Sequence, residues 1–498
     1  MLKINLWILF SCAIVIGAVV FLRNNPVHDP GSKIINYNKA LKSNAGTRDY
    51  SDIPEWYLRN RVQIHTRLSL NELNSSVFFG FPEELKKYNV TVLTRQIKAR
   101  DEQPWWPTGD GGIDARAANY NSNGQNLAVK IIKQLHDLNM KAIIYYRHSE
   151  DSAMLLNHPD WACLNVKGEP IRGPRGIFLS FNSPYRDIVI ARLKQLASYG
   201  ADGFYFDQIH IPQGGDFSEF SKKMYKEKYG TDMAGDFRTN KLRFFEFRNN
   251  TIERFFTDLR TSLLPFKPVL LVSGDSWTNF TGLHMNSEFF QKFILKTEAE
   301  EPVRPYNRNM EFSFPLDLKE TIPGFYLNAF FFSFMRDNSA GPPHVWCRDL
   351  KSADDAANMA AGIISLGGIA NLDVDANPQK TNIDVIKVPA EWNETYGSYF
   401  KDLVPYANVG VLASENERNK FLGDPEAAWQ KVLIPAINTF SKLYKSGIPV
   451  NVLSDATLNS KFSEGLTKIY CDMSLTTGSG RDNKLEDFSD SDAGHTYK

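Results

Sequence analysis

Short, continuous apolar segments alternate along this chain with longer segments in which apolar residues recur at helical spacing. The short segments predict strands, and the longer segments predict helices between them. The predicted strands cover 62–66, 90–94, 141–146, 201–207, 269–273, 293–296, part of 325–334, and 368–372. Such alternation indicates a parallel sheet, and eight strands over this length favour an α/β fold, the (β/α)8 TIM barrel. The alternative is an open doubly wound sheet, which is disfavoured because no glycine-rich phosphate loop follows the first strand.

The same pattern divides the chain into segments. An apolar run from Ile4 to Leu22 predicts a signal-anchor or transmembrane segment over 1–23, with a cleaved signal peptide as the alternative. A polar stalk over 24–55 and the barrel over 56–388 follow, and a restarted strand–helix pattern over 400–475 predicts a small, partial α/β domain. Polar residues over 476–498 predict a disordered tail. We therefore expect a membrane-anchored protein with a lumenal or extracellular barrel, or a secreted protein if the first segment is cleaved.

Composition narrows the range of partners. The chain has 57 basic and 57 acidic residues, so its charge gives no case for nucleic-acid binding. An aromatic content of 13% suits a protein that stacks sugars on its rings, although a large packed core is the commoner explanation. Four cysteines without metal-ligand spacing give no reason to expect a metal, no other cofactor is implied, and nothing indicates an oligomeric state. Sequons at Asn74, Asn89, Asn249, Asn279 and Asn393 are compatible with a glycoprotein.

The fourth predicted strand ends on an acid, Asp207. Gly200 is suited to the left-handed cap of the preceding helix, and the segment 203–206 is short, aromatic and uncharged, as in a strand covered on both faces. In an α/β barrel the carboxyl ends of the strands form the active-site face, so Asp207 is a candidate catalytic residue. The alternative is that Asp207 caps the next loop.

Polar and aromatic residues follow the other predicted strands as well, and in a barrel they would converge on one mouth. They include Trp105, Trp106, His148, His210, Asp275, Trp277, Glu298, Arg336, His344, Trp346 and Asp373. Glycoside hydrolysis requires carboxylates as nucleophile and proton donor, with aromatic rings to hold the sugar. Structural alternatives remain, because Trp105 and Trp106 also suit a packed loop, His148 a structural hydrogen bond and Glu298 a solvated face.

Four motifs carry a resemblance to a known group of enzymes. They are Asn-His-Pro-Asp-Trp at 157–161, Lys-Gly-Glu-Pro at 167–170, Asn-Ser-Pro-Tyr-Arg at 182–186 and Asp-Gly-Phe-Tyr-Phe-Asp at 202–207. Their order and spacing resemble glycoside hydrolases with amylase-like barrels, which are distantly related to α-L-fucosidases and β-galactosidases. The segment 407–455 resembles the flavodoxin-like, amidotransferase-like domain that follows the barrel in such β-galactosidases, without its later strands.

The resemblance implies a role for Asp207, which matches the fourth-strand acid that is the nucleophile in α-amylases and α-L-fucosidases. The proton donor is left open between Asp275, at the position used in amylase-like barrels, and Glu298 after the sixth strand. We expect retaining hydrolysis of an O-glycosidic bond in an oligosaccharide, polysaccharide or glycoconjugate. The alternatives are a non-catalytic glycan-binding barrel and, third, a tethered scaffold in which the barrel is a spacer.

Overall fold

The computed structural model of this chain describes residues 53–471, with gaps, and the pair 485–486. The gaps are 99–102, 123, 174–175, 208–210, 212–214, 274–295, 301–323, 339–340, 348–349, 376–381, 404–405, 423, 459–462 and 464. The predicted signal-anchor and nearly all of the predicted stalk lie outside the described residues. Within the described part of the chain, no helix combines the length and the apolar character that a membrane crossing requires.

Among the described residues, eight parallel strands pair in chain order and close into a barrel. They are β1 (Val62–Thr66), β2 (Val92–Lys98), β3 (Lys141–Arg147), β4 (Gly203–Asp207), β5 (Val269–Ser273), β6 (Lys296–Glu300), β7 (His344–Cys347) and β8 (Ile369–Val374). Strand β8 returns to β1, with His65 paired to Asp373, and this pairing closes the ring. The predicted α/β fold of the TIM type is confirmed.

The first helix precedes β1, the last follows β8, and the others lie in the connections between the strands. The helices are α1 (Glu55–Arg59), α2 (Ser76–Lys86), α3 (Ala115–Ala118), α4 (Leu127–Asp137), α5 (Ser152–Asn157), α6 (Tyr185–Ser198), α7 (Glu219–Tyr229), α8 (Met233–Thr239), α9 (Lys241–Leu263), α10 (Gly324–Asp337), α11 (Ala353–Ser365) and α12 (Asp384–Tyr396). Short 3-10 turns cover Leu70–Glu72, Pro159–Trp161 and Gly397–Phe400. Helix α12 crosses residue 388, where the sequence predicts the end of the barrel.

Helix α4 illustrates how the sequence specifies these elements. The Asn126 side chain accepts a hydrogen bond from the Val129 amide at 3.1 Å, which satisfies one of the free donors at the start of the helix. Leu127, Ile131 and Leu135 recur at helical spacing and are fully buried. The buried stripe faces the barrel, and its side chains belong to the same hydrophobic core as the outward-facing residues of the strands.

The strands alternate between two apolar layers. Ile144 and Phe204 lie in the layer between the sheet and the helices, whereas Tyr145 and Tyr205 belong to a separate cluster inside the barrel. Gly203 allows β4 to pass close to β5, because a Cβ at this position would lie 3.0 Å from the Val269 carbonyl oxygen. Both layers are therefore filled with side chains, as in other barrels of this type.

The prediction of a seventh strand within 325–334 is wrong. This segment lies in helix α10, and the seventh strand is His344–Cys347. The helix is apolar on nearly every side because it packs between two cores: Phe332 joins the barrel core, while Phe330 and Phe331 join the core of the second sheet. A helix that packs against two cores lacks a broad polar stripe, so its apolar run resembles that of a buried strand.

A second, four-stranded parallel sheet follows the barrel, with strand order β10-β9-β11-β12. Its strands are β9 (Val409–Leu412), β10 (Val450–Leu453), β11 (Lys468–Tyr470) and β12 (Leu485–Glu486). Its helices are α13 (Glu415–Arg418), α14 (Pro425–Ala428), α15 (Ile434–Lys445) and α16 (Asp455–Leu458), with a 3-10 turn at Asn419–Phe421 and a π turn at Trp429–Leu433. This order matches the first four strands of a flavodoxin-like sheet. The ladder reaches β12 inside the segment 476–498, which the sequence predicts to be disordered.

The described sequons differ in their access to solvent. Asn74 and Asn89 are exposed. Asn393 is 8% exposed, and its side-chain oxygen accepts hydrogen bonds from the Arg61 amide at 2.8 Å and the Val62 amide at 3.2 Å. Asn249 lies within helix α9, and the hydroxyl-bearing Thr251 of its sequon is buried. A glycan on Asn393 is therefore incompatible with this fold.

Replacing Asn338 by Ala is expected to destabilise the junction between the barrel and the second sheet. Asn338 is 2% exposed; its amide donates to the Val452 carbonyl at 2.9 Å, and its oxygen accepts from the Ser454 amide at 3.1 Å. The variant leaves the buried Val452 carbonyl without this donor and leaves the Ser454 amide with Thr457 Oγ1, at 2.9 Å, as its acceptor, and losing the donor to a buried carbonyl costs about 1–3 kcal/mol. Urea unfolding of Asn338→Ala measures the loss, and the exposed Asn119→Ala is the control. Equal midpoints for the two variants would contradict the prediction.

Candidate active site

The carboxyl ends of the barrel strands bring several predicted residues to one face. Asp207 is the last residue of β4, and it pairs in register with Arg147, the last residue of β3. Residues paired across neighbouring strands lie about 5 Å apart at their Cα atoms. The sequence therefore placed Asp207 at the correct end of the barrel, but Arg147 was not among the predicted site residues.

Four aromatic side chains fill the barrel interior. His65, Tyr145, Tyr205 and Trp346 come from β1, β3, β4 and β7, and every pair among them is in ring contact. The ring centroids of His65 and Trp346 are 4.6 Å apart, and those of Tyr145 and Tyr205 are 5.3 Å apart. Tyr145 and Trp346 retain 5% and 4% of their surface, while His65 and Tyr205 retain none. We name these residues the aromatic tetrad; of the four, the sequence predicted only Trp346 as a site residue.

Asp373 lies beside this tetrad and forms an ion pair. It pairs in register with His65, and its side-chain oxygens accept hydrogen bonds from Arg67 Nε at 2.9 and 2.8 Å. The Asp373 side chain is fully buried, whereas that of Arg67 is half exposed. Asp373 therefore lies at the predicted end of the barrel, but its charge is matched by a residue that the sequence did not indicate.

A group of buried charges lies around the end of β3. Asp151 accepts hydrogen bonds from Arg192 at 2.8 Å and from Gln103 at 2.9 Å, and Lys98 is 4.0 Å away. Burial raises the pKa of the Asp151 carboxyl, but the charges of Lys98 and Arg192 and their hydrogen bonding outweigh it, so its pKa is lowered. Asp151 also caps helix α5 through the Met154 amide at 3.1 Å. These contacts fix the loop that follows β3.

Trp105 and Trp106 lie in a packed loop. Both are fully buried, the Trp105 ring is 6.3 Å from the ring of Phe78, and Trp106 Nε1 donates to Gln195 Oε1 at 2.8 Å. Sugar stacking requires an exposed ring face, which neither residue has in this conformation. We therefore leave both out of the proposed sugar site, in line with the structural alternative.

His148 points away from the barrel interior. Its ring lies 5.1 Å from that of Phe181 and 6.2 Å from that of Phe255, in the layer between strands and helices. Because Arg147 occupies the inward position, the next residue along the strand faces the other side. His148 is consequently a core residue in this structure.

His344 and Arg336 lie elsewhere in the fold. His344, the first residue of β7, is inside the barrel; its Nε2 is 3.1 Å from Gln63 Oε1, and its ring stacks on Tyr57 of α1. Arg336 is buried at the junction with the second sheet, where it binds Asp337 at 2.7 Å and Asn451 at 3.1 Å. The prediction that Arg336 lies at the barrel mouth is wrong, because the segment carrying it is a helix.

The register places Glu298 in the same row as Asp207. Phe206 of β4 pairs with Val272 of β5, and Val272 pairs with Thr297 of β6. One position further along these three strands lie Asp207, Ser273 and Glu298, and Ser273 pairs with Glu298. Two strand spacings amount to roughly 9–10 Å between Cα atoms.

His210, Asp275 and Trp277 lie outside the described residues. Within the described part of the chain, no cluster of His, Cys, Asp and Glu has the composition of a metal site.

One cavity lies at the opposite end of the barrel. It has a volume of about 370 Å³, and Trp56, Asn60, Lys141 and Asn393 are among the residues that line it. Lys141 opens β3 and Asn60 precedes β1, so this cavity belongs to the amino-terminal face. In TIM barrels that face serves stability rather than catalysis.

Comparison with solved structures finds this architecture in enzymes that cleave sugars. The chain is similar to α-L-fucosidase isoenzyme 2 from Paenibacillus thiaminolyticus (TM-score 0.61, 14% identity, 84% of this chain and 61% of that chain). It is also similar to the catalytic mutant of Gan42B, a GH42 β-galactosidase from G. stearothermophilus (TM-score 0.60, 13% identity, 83% of this chain and 67% of that chain). The fold is one that glycoside hydrolases use. A β-galactosidase from the psychrophilic Marinomonas ef1 is similar as well (TM-score 0.57, 10% identity, 82% of this chain and 71% of that chain).

These structural relatives share the fold at low sequence identity. No protein-family model matches the sequence, and the search of curated proteins found no match. The chain spans 61% of the length of the fucosidase and 67% of that of Gan42B. Since one barrel fold hosts many reactions, the activity of this chain has to be argued from its site.

Proposed function

We propose that this protein is a glycoside hydrolase that cleaves an O-glycosidic bond by a retaining mechanism. The observation that carries the proposal is the position of Asp207 at the carboxyl end of β4, next to Arg147 and in the same row as Glu298. The similarity to barrels of fucosidases and β-galactosidases supports the reaction class, and carbohydrate is the proposed substrate. The apolar run from Ile4 to Leu22 is the proposed membrane tether.

Two carboxyl groups suffice for this reaction. The carboxylate of Asp207 attacks the anomeric carbon while the proton donor gives its proton to the leaving oxygen, so that a glycosyl-enzyme ester forms and the alcohol departs. The former donor then takes a proton from water, which attacks the anomeric carbon and releases Asp207. Each of the two steps inverts the anomeric centre, and the net outcome is retention.

Register favours Glu298 over Asp275 as the proton donor. Retaining enzymes hold the two carboxyl groups about 5–5.5 Å apart, and inverting enzymes about 6.5–9.5 Å apart. A Cα separation of roughly two strand spacings allows side chains that lean toward each other to meet the shorter range. Asp275 follows the end of β5 and remains the competing candidate.

The first test is hydrolysis by the full chain. A panel of aryl α- and β-glycosides, including fucosides and galactosides, identifies the sugar from the released phenol. Proton NMR of the first product formed then gives its anomeric configuration. We expect turnover with retention. A product of inverted configuration would overturn the retaining mechanism, and the absence of turnover on aryl glycosides and natural oligosaccharides would contradict the enzyme assignment.

Replacing Glu298 by Ala is expected to lower kcat about 10²- to 10⁴-fold for substrates with poor leaving groups, because protonation of the leaving oxygen is lost. Aryl glycosides with acidic phenols need less protonation and lose less. Added azide should restore turnover on these activated substrates by replacing water as the nucleophile. The matched variant Asp275→Ala is the control. If Asp275→Ala shows this pattern and Glu298→Ala does not, the donor is Asp275.

A further inference from the structure

A buried ion pair lies at the end of β3, the strand next to the one that carries the proposed nucleophile, and has no role in the mechanism above. Arg147 Nη2 is 3.4 Å from Glu150 Oε2, and the two side chains are 3% and 0% exposed. Arg147 is the register partner of Asp207 on the neighbouring strand. Arg147, which carries the guanidinium of this pair, therefore lies about 5 Å from Asp207 between Cα atoms.

Lys98 immobilises the backbone that carries this pair. It ends β2, its side chain is fully buried, and its Nζ donates to the Arg147 carbonyl at 3.0 Å and to the Glu150 carbonyl at 3.2 Å. Both ends of the loop are thus bound to one ammonium group. Any movement of the loop would leave a buried charge without its hydrogen bonds, which is costly.

Glu150 is held from its other side by the loop that precedes α6. It forms an antiparallel bridge with Phe178, and a Cβ at Gly173 would collide with Glu150 Oε1. The absence of a side chain at Gly173 therefore creates the space for this carboxylate.

We infer that Arg147 is a positioning residue that keeps the Asp207 carboxyl group ionised for attack, and that Glu150 limits the strength of this effect. The inference rests on the proposed function, in which Asp207 must be a carboxylate. An arginine beside an aspartate lowers the carboxyl pKa by about 1–3 units, whereas a second carboxylate raises it. The two charges act in opposite directions on the same group.

Other charged or titratable groups lie at the same end of the barrel. His65 lies on β1, and Arg67, which follows β1, pairs with Asp373 of β8. Lys98 lies on β2, and Glu298 and Glu300 lie on β6. Asp151 and Arg192 flank the loop after β3 and bind each other at 2.8 Å. None of these residues changes in the variants below, so a difference between variants reports the Arg147–Glu150 pair alone.

The test is the acid limb of the pH profile of kcat/KM, which reports ionisation in the free enzyme. We expect Arg147→Met to move this limb to higher pH by about one unit or more, and Glu150→Gln to move it to lower pH. Arg147→Lys keeps the charge and should return the limb toward its position in the unsubstituted protein. Arg186→Met, a partly exposed arginine paired with Asp187 and Asp258, is the control. Shifts of the same sign for Arg147→Met and Glu150→Gln overturn the inference.

A second measurement follows Asp207 without turnover. Carbodiimides react with protonated carboxyl groups, so the extent of labelling of the Asp207 peptide against pH, read by mass spectrometry, gives the ionisation midpoint directly. Circular dichroism confirms folding, and if Arg147→Met does not fold, Glu150→Gln and Arg147→Lys still carry the test. An unchanged labelling midpoint in the folded variants overturns the inference. Shifted midpoints in a protein that hydrolyses no glycoside uphold the inference about Asp207 and count against the proposed function.

Discussion

Replacing Asp207 by Asn should abolish hydrolysis, with kcat falling on the order of 10⁴-fold or more, as expected when an enzymatic nucleophile is removed. An amide oxygen does not form the glycosyl-enzyme ester at a useful rate, so the first half of the reaction stops. Binding of the sugar should persist, because the exchange of a carboxylate for an amide leaves the shape of the site unchanged. Initial rates with the best aryl glycoside, measured beside sugar affinity, check both expectations.

Asp202, which lies immediately before β4, provides a matched control for Asp207 at the end of that strand. It precedes β4 at the amino-terminal end, where it accepts hydrogen bonds from Lys141 Nζ at 2.7 Å and from the Ala142 amide at 2.9 Å. Asp202→Asn changes the same chemical group at the opposite end of the barrel and should leave kcat within a few fold. Equal losses in Asp202→Asn and Asp207→Asn would show that stability rather than chemistry had been affected.

Chemical rescue separates a nucleophile from a residue that is merely needed nearby. Asp207→Gly leaves space for azide, whose nitrogen can bond to the anomeric carbon as the phenolate departs. A single displacement of this kind gives a glycosyl azide of inverted configuration, whereas the complete retaining reaction preserves the configuration. Failure of azide to restore turnover, combined with unchanged sugar binding, would favour the glycan-binding alternative.

Hydrophobic pattern predicted most of the barrel because each strand is covered on both faces. The strands at 62–66 and 269–273 agree with β1 and β5, since short uncharged runs bounded by polar residues leave little choice. The seventh strand was misplaced because helix α10 is buried on two sides and its sequence lacks a polar stripe. A buried strand and a helix buried on two sides have similar apolar sequences. They are distinguished here only by the position of the second sheet, which the local sequence does not encode.

The site residues were harder to predict than the strands, because neighbouring residues of a strand point to opposite faces of the sheet. An error of one position therefore moves a side chain from the barrel interior to the layer under the helices. His148 attracted attention as a histidine at a strand end, yet it follows the inward Arg147 and therefore packs outward. Alternation from Tyr145 to Arg147 was the signal in the sequence that pointed to the arginine. No comparable signal exists for Trp105 and Trp106, since burial of a loop depends on the helices that cover it.

The second large effect is expected for Arg192 of helix α6, which forms ion pairs with both Asp110 and Asp151. Its guanidinium donates to Asp110 Oδ2 at 2.7 Å and to Asp151 Oδ2 at 2.8 Å, and only 1% of its side chain is exposed. Burial alone would lower the pKa of Arg192, but the surrounding acidic groups raise it, so the charge is retained. Removing one partner from a buried charged group leaves the other charges uncompensated.

We therefore expect Arg192→Met to lower the free energy of unfolding by about 3–5 kcal/mol near neutral pH, measured by urea denaturation. The pKa values of Asp110 and Asp151 are lowered in the folded protein, so their contribution is present above the unfolded value of about 4 and disappears as pH falls through the folded values. The difference between the variant and the unsubstituted protein should consequently narrow below pH of about 4. Arg186→Met on the same helix should cost no more than about 1 kcal/mol, because its ion pairs are partly exposed. A difference that stays constant down to acid pH would show that Arg192 acts through its packing, with the ion pairs contributing nothing to stability.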